Sequence, residues 1–131
     1  MIPIYRCGTR KAIDELAAEL NLRFENWMQD WPIEVVSPAD IDVYIDHYHK
    51  LTDDDKKFVL MQGILDTTEY QPTEELFLKY CSQVNQILEA DFHLHAYTIF
   101  YYTCPEEEII ENCFRLTSMM REIYKRHANL T

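Results

Sequence analysis

Ser37-Pro38-Ala39-Asp40-Ile41-Asp42-Val43-Tyr44-Ile45-Asp46-His47-Tyr48-His49-Lys50 is the stretch that decides the fold. Serine suits a helix cap. Proline fits the first helical position because its missing N–H has no partner there anyway. Aspartate in the first turn complements the positive end of the helix dipole. Ile41, Tyr44, Ile45 and Tyr48 then recur three and four residues apart, the period of a helix with one buried stripe.

The same grammar repeats outward in both directions. Upstream, Thr9 is placed to cap a helix with Ile13, Leu16, Ala17, Leu20 and Phe24 inside and Asp14, Glu15 and Glu19 outside. Downstream, Thr52 opens a helix with Asp53, Asp54 and Asp55 in its first turn. Its run Phe58-Val59-Leu60-Met61, followed by Ile64 and Leu65, predicts burial on more than one side. Thr73, after Pro72, caps a helix with Leu76, Phe77, Tyr80, Cys81, Val84 and Leu88 on one face. Pro105, followed by Glu106, Glu107 and Glu108, marks the start of the last helix, with Ile110, Cys113, Phe114, Thr117, Met120 and Tyr124 inside. Thr117 is a second cap candidate at which that helix can break. Residues 25–36, which include Trp27, Trp31 and Pro32, read as a connection packed down on the core.

One segment is ambiguous. Tyr97-Thr98-Ile99-Phe100-Tyr101-Tyr102 has strand propensity, while Leu94, Tyr97, Thr98 and Tyr101 fit a helical face. A strand there has no partner except Ile2–Arg6, which favours the helix. Only two glycines occur, Gly8 and Gly63, too few for the tight turns of an all-β domain or for a glycine-rich phosphate loop. The expected fold is therefore all-α, about six helices arranged in hairpins (38–66 and 73–102) as one domain over residues 1–131, with a short strand near 94–102 as the alternative.

The 131-residue chain carries 12 basic and 23 acidic side chains, a net −11. Between Phe24 and Phe114 four lysines face nineteen carboxylates, a net −15, whereas the two ends are net basic. This balance argues against nucleic acid and anionic membrane surfaces as partners, and it steers basic proteins toward the chain. Cys7, Cys81, Cys104 and Cys113 form no C-x-x-C pair. The N-terminus lacks the apolar core of a signal peptide, and no apolar run approaches a membrane span. A cytoplasmic protein with reduced thiols is the expectation.

No catalytic signature emerges, and no cofactor is implied. Asp42, Asp46 and His49 share a helical face at i, i+4 and i+7, a spacing open to a metal but equally that of a solvated stripe. His93 and His95 would diverge by about 200° on a helix. Cys104, ahead of Pro105, has no neighbouring base. The nine tyrosines mostly fall on inner stripes. Tyr70 and Trp31 lie outside them, beside Glu69 and Asp30, and an aromatic anchor ringed by carboxylates suits a basic protein.

Asp30-Trp31-Pro32-Ile33-Glu34, then Ser37-Pro38-Ala39-Asp40-Ile41 leading to Tyr48, resembles small helical bacterial proteins of the immunity type. Lys57-Phe58-Val59-Leu60-Met61 and Thr117-Ser118-Met119-Met120-Arg121 are similar to the same pattern. The resemblance implies a cytoplasmic inhibitor that binds and blocks a cognate toxin, often acidic because many such toxins are basic nucleases. Asp42, Asp46, Asp53, Asp54, Asp55, Glu69, Tyr70 and Trp31 are the expected partner-binding residues. A small metal-dependent enzyme and a helical adaptor or accessory subunit stand as alternatives.

Overall fold

Two of the expected caps close as hydrogen bonds in the computed structural model, which describes residues 2–128. The Thr9 hydroxyl accepts the Ala12 N–H at 3.1 Å and opens α1 (Arg10–Glu19). The Thr73 hydroxyl accepts the Leu76 N–H at 3.1 Å and opens α4 (Glu74–Ala90). A third cap moves by one residue. Asp53 rather than Thr52 accepts the Lys56 N–H, at 3.0 Å, and opens α3 (Asp54–Glu69). Between them, Pro38–Asp40 forms a 3₁₀ turn that runs into α2 (Ile41–Lys50). Ser37 contributes no side-chain cap there; its N–H donates to the Tyr44 hydroxyl at 3.1 Å. With α5 (Phe92–Tyr102) and α6 (Thr117–Ala128), the described residues hold six α-helices and no strand. The fold is all-α.

The helices fall into two compact units, one running Cys7–Pro72 and the other joining the segment up to Arg6 with the chain from Thr73 onward. In the first, α1 and α2 both pack on α3. The all-round apolar sequence of α3 is accounted for: Phe58, Val59, Leu60, Met61, Ile64 and Leu65 are essentially inaccessible. Its buried hydroxyls are satisfied within the helix, Thr67 on Gly63 O and Thr68 on Ile64 O. Gly63 sits at a close approach, since a Cβ there would lie 3.0 Å from Pro32 Cγ and 3.1 Å from Val36 Cγ1. Helix α1 stops short of its apolar pattern. Leu20 is its C-cap and Asn21 takes φ +53°, a left-handed conformation asparagine tolerates. Phe24 therefore lies in the following loop, edge-on to Trp31 at 6.3 Å.

In the second unit, α4, α5 and α6 contact one another pairwise through α4–α5, α4–α6 and α5–α6. The tyrosine-rich segment is helical because Asp91 ends α4 and begins α5 at once: its carbonyl accepts from Leu94 N and His95 N, leaving no residues for a turn into a strand. Phe92, His95, Thr98, Ile99 and Tyr102 form the buried face. Residues 2–6 run beside it, with Tyr5 edge-on to Tyr97 at 5.0 Å.

The last helix differs from expectation. It begins at Thr117, and residues 104–116 form an irregular loop with one 3₁₀ turn, Ile110–Asn112. Arg121 explains the change. Its guanidinium takes the carbonyls of Thr103 (2.8 Å), Cys104 (3.3 Å) and Glu107 (3.1 Å), and Cys104 adopts φ +53°. Carbonyls so engaged on a bend do not propagate a helix. The inner stripe of α6 is consequently Thr117, Met120 and Ile123, with Leu116 buried just ahead of it, while Ile109 and Ile110 are exposed.

Candidate functional site

The unit Cys7–Pro72 divides its charges unequally. On the α1 side they are closed internally. Lys56 lies 2.9 Å from Glu15 and 2.5 Å from Glu19, and Glu19 also meets His47 Nε2 at 2.7 Å. The Lys56 ammonium, helped by His47, holds the Glu19 carboxyl below the ordinary carboxylate range, and the two glutamates push Lys56 further above its own. Arg10 pairs with Asp14 at 3.3 Å, and Arg23 with Glu25 at 3.0 Å.

The outer side of α2 is different. Asp42 and Asp46 are exposed one turn apart, with Val43 beside them 55% exposed. At the first turn of α3, Asp53 and Asp54 are exposed and Asp55 is half-buried. Asp42, Asp46 and Asp54 make no ion pair among the described residues. Asp53 has a second duty, because its carboxylate caps α3; the Lys56 N–H it accepts lowers its pKa.

Glu69 and Tyr70 stand at the opposite end of α3, whose 16 residues span about 24 Å. That end is tied to the start of α2 by Gln71, whose amide donates to Pro38 O at 3.0 Å. Tyr70 is 68% exposed there, and Asp66 nearby has its pKa raised by burial and by Glu69. The expected binding residues are thus gathered at the two ends of the α2–α3 hairpin, with Asp46 between them.

Trp31 does not join this surface. It is 5% exposed, its indole N–H donates to Arg23 O at 2.7 Å, and its ring meets Phe24. The exposed tryptophan is Trp27, at 61%, with the Arg23 guanidinium 5.5 Å above its ring and Glu25 accepting its N–H at 2.5 Å. Sequence context carried a signal for this. Trp31 runs into the apolar Pro32-Ile33 and Val35-Val36, whereas polar Glu25, Asn26, Gln29 and Asp30 surround Trp27.

The other constellations do not assemble. No group of three or more His, Cys, Asp or Glu side chains among the described residues is arranged to hold a metal ion, the Asp42–Asp46–His49 set included. His95 is buried and His93 exposed on α5. Cys104 lies beyond the C-terminal end of α5, not at a helix N-terminus. A groove of about 480 Å³ lies between α4 and α6, lined by Phe77, Leu78, Cys81, Asn85, Arg115 and Met119 among others, with no carboxylate or imidazole in its wall. No helix among the described residues is long and apolar enough to cross a membrane. Comparison with protein-family models, with curated protein sequences and with solved structures gave no match to the chain.

Proposed function

We propose that this chain is an inhibitor of the bacterial immunity type, binding a basic cognate toxin domain through the acidic surface of α2 and the start of α3. The observation that carries the proposal is the uneven charge pairing. Glutamates on the α1 side are paired with Lys56 and His47, while Asp42, Asp46 and Asp54 make no ion pair among the described residues. Unpaired carboxylates around an exposed valine attract a cationic partner at long range and give it an apolar contact on arrival. Tyr70 supplies an aromatic anchor at one end, and Trp27 a further exposed ring in the same unit. Four free cysteines suit a reducing compartment, and the cytoplasm is the proposed place of action.

The test is capture at low salt with the immobilised full chain, followed by association kinetics with the recovered protein. A basic protein whose association rate falls at least about tenfold as salt screens the surface is expected. The triple variant Asp42→Asn, Asp46→Asn, Asp54→Asn should lose the same factor at low salt. Asp53→Asn belongs in the series because asparagine keeps the cap while removing the charge. Recovery of no specific protein, or a partner indifferent to the triple variant, overturns the proposal.

A further inference from the structure

The loop that replaces the first half of the expected last helix brings two cysteines together. Arg121 closes its base: one guanidinium nitrogen bonds Cys104 O at 3.3 Å and lies 3.9 Å from Cys113 Sγ. The Cys113 thiol reaches Ile109 O at 3.7 Å, so the same Arg121 nitrogen joins the Cys104 backbone to the Cys113 side chain. Both cysteines are free and half-buried, so reagents in solution can reach them. Cys7 precedes α1 and Cys81 lies on α4, away from this loop in sequence.

We infer that Cys104 and Cys113 are a dithiol site that a small-molecule disulfide converts to an internal disulfide, closing residues 104–113 into a covalent ring. One thiolate attacks a sulfur of the reagent, forming a mixed disulfide and releasing one reagent thiolate. The second cysteine, after losing its proton, attacks the protein sulfur of that bond and expels the remaining half. Two protein thiols are oxidised, one protein S–S bond forms, and the reagent's S–S bond is reduced to two thiols. The neighbouring Cys104 thiol, followed by burial, raises the pKa of Cys113, so exchange quickens toward alkaline pH. The ring would fix the exposed tip, Ile109 with Glu106, Glu108 and Glu111.

The experiment uses the full reduced chain with oxidised glutathione at mildly alkaline pH, followed by blocking and cleavage after glutamate under non-reducing conditions. Cleavage at Glu89, Glu106, Glu111 and Glu122 puts Cys81, Cys104 and Cys113 on separate peptides. The expected product is the Cys104 peptide joined to the Cys113 peptide. A short loop gives its thiols an effective concentration near millimolar, so at micromolar protein this bond should outpace any bond between copies by about a thousandfold. Cys104→Ser and Cys113→Ser should each abolish the internal bond and leave a glutathione adduct on the remaining cysteine of the pair. Amide exchange over 104–113 should slow about tenfold or more in the oxidised chain. Separate adducts on Cys104 and Cys113 in the parent chain, or a bond mapped to Cys7 or Cys81, overturns the inference.

Discussion

Trp31→Ala separates a core tryptophan from an exposed binding anchor. Truncating a buried tryptophan costs about 3–5 kcal/mol through lost transfer energy and the cavity left behind. Here the indole also loses its edge-on contact with Phe24, of the kind that contributes about 1 kcal/mol, and its hydrogen bond to Arg23 O, about 1 kcal/mol. These contributions overlap, and about 4 kcal/mol is the expected loss. With a urea dependence of about 2 kcal/mol per molar, the unfolding midpoint falls by about 2 M. Trp31→Phe keeps most of the buried area and loses the hydrogen bond, so about 1–2 kcal/mol is expected. Trp27→Ala, at a 61% exposed position, should stay within about 0.5 kcal/mol of the parent. Far-ultraviolet circular dichroism is the readout, because the substitutions themselves alter fluorescence. A Trp31→Ala midpoint indistinguishable from the parent, or a larger loss at Trp27, would refute the seating of this loop on the core.

Glu19→Gln should flatten the acid limb of the stability profile. The Glu19 pKa is depressed in the folded chain, so its contribution is fully present above the unfolded value near 4.5 and is lost as pH falls through the lower folded value; urea titrations of parent and variant across that window check it. Arg121→Met should leave α6 helical but raise amide exchange over 104–113 by about tenfold or more, since three carbonyls lose a charged donor; exchange mass spectrometry reads this directly. Gly63→Ala should destabilise by about 1 kcal/mol in chemical denaturation, although alanine favours a helix by about that amount. The new methyl meets the rigid Pro32 ring, and the variant should become less costly in a Pro32→Ala background.

Helix positions were legible wherever local chemistry and burial agreed. Thr9 and Thr73 cap as their spacing implies, and the 58–61 run sits in the centre of its unit because no polar face interrupts it. The 104–116 loop was not legible, because proline followed by glutamates is a sound local helix start. What overrides it is Arg121, seventeen residues beyond Cys104, and only the folded chain brings that guanidinium to the carbonyls. Trp31 was misplaced for a related reason. Lying outside a helical stripe says nothing about burial when a loop folds back on the core. The acidic residues of α2 were legible as charge, but the neutralised α1 side was not. Lys56 is remote in sequence from Glu15 and Glu19, and their pairing depends on α1 packing against α3.

The order of the two units along the chain has a consequence for biogenesis. Cys7–Pro72 is continuous, whereas the other unit combines residues before it with residues after it. A ribosome therefore delivers the continuous unit complete, with every helix of its core, while the first residues still await α5, which is made some ninety residues later. The continuous unit can gain its structure during synthesis before α5 and α6 of the other unit have been made.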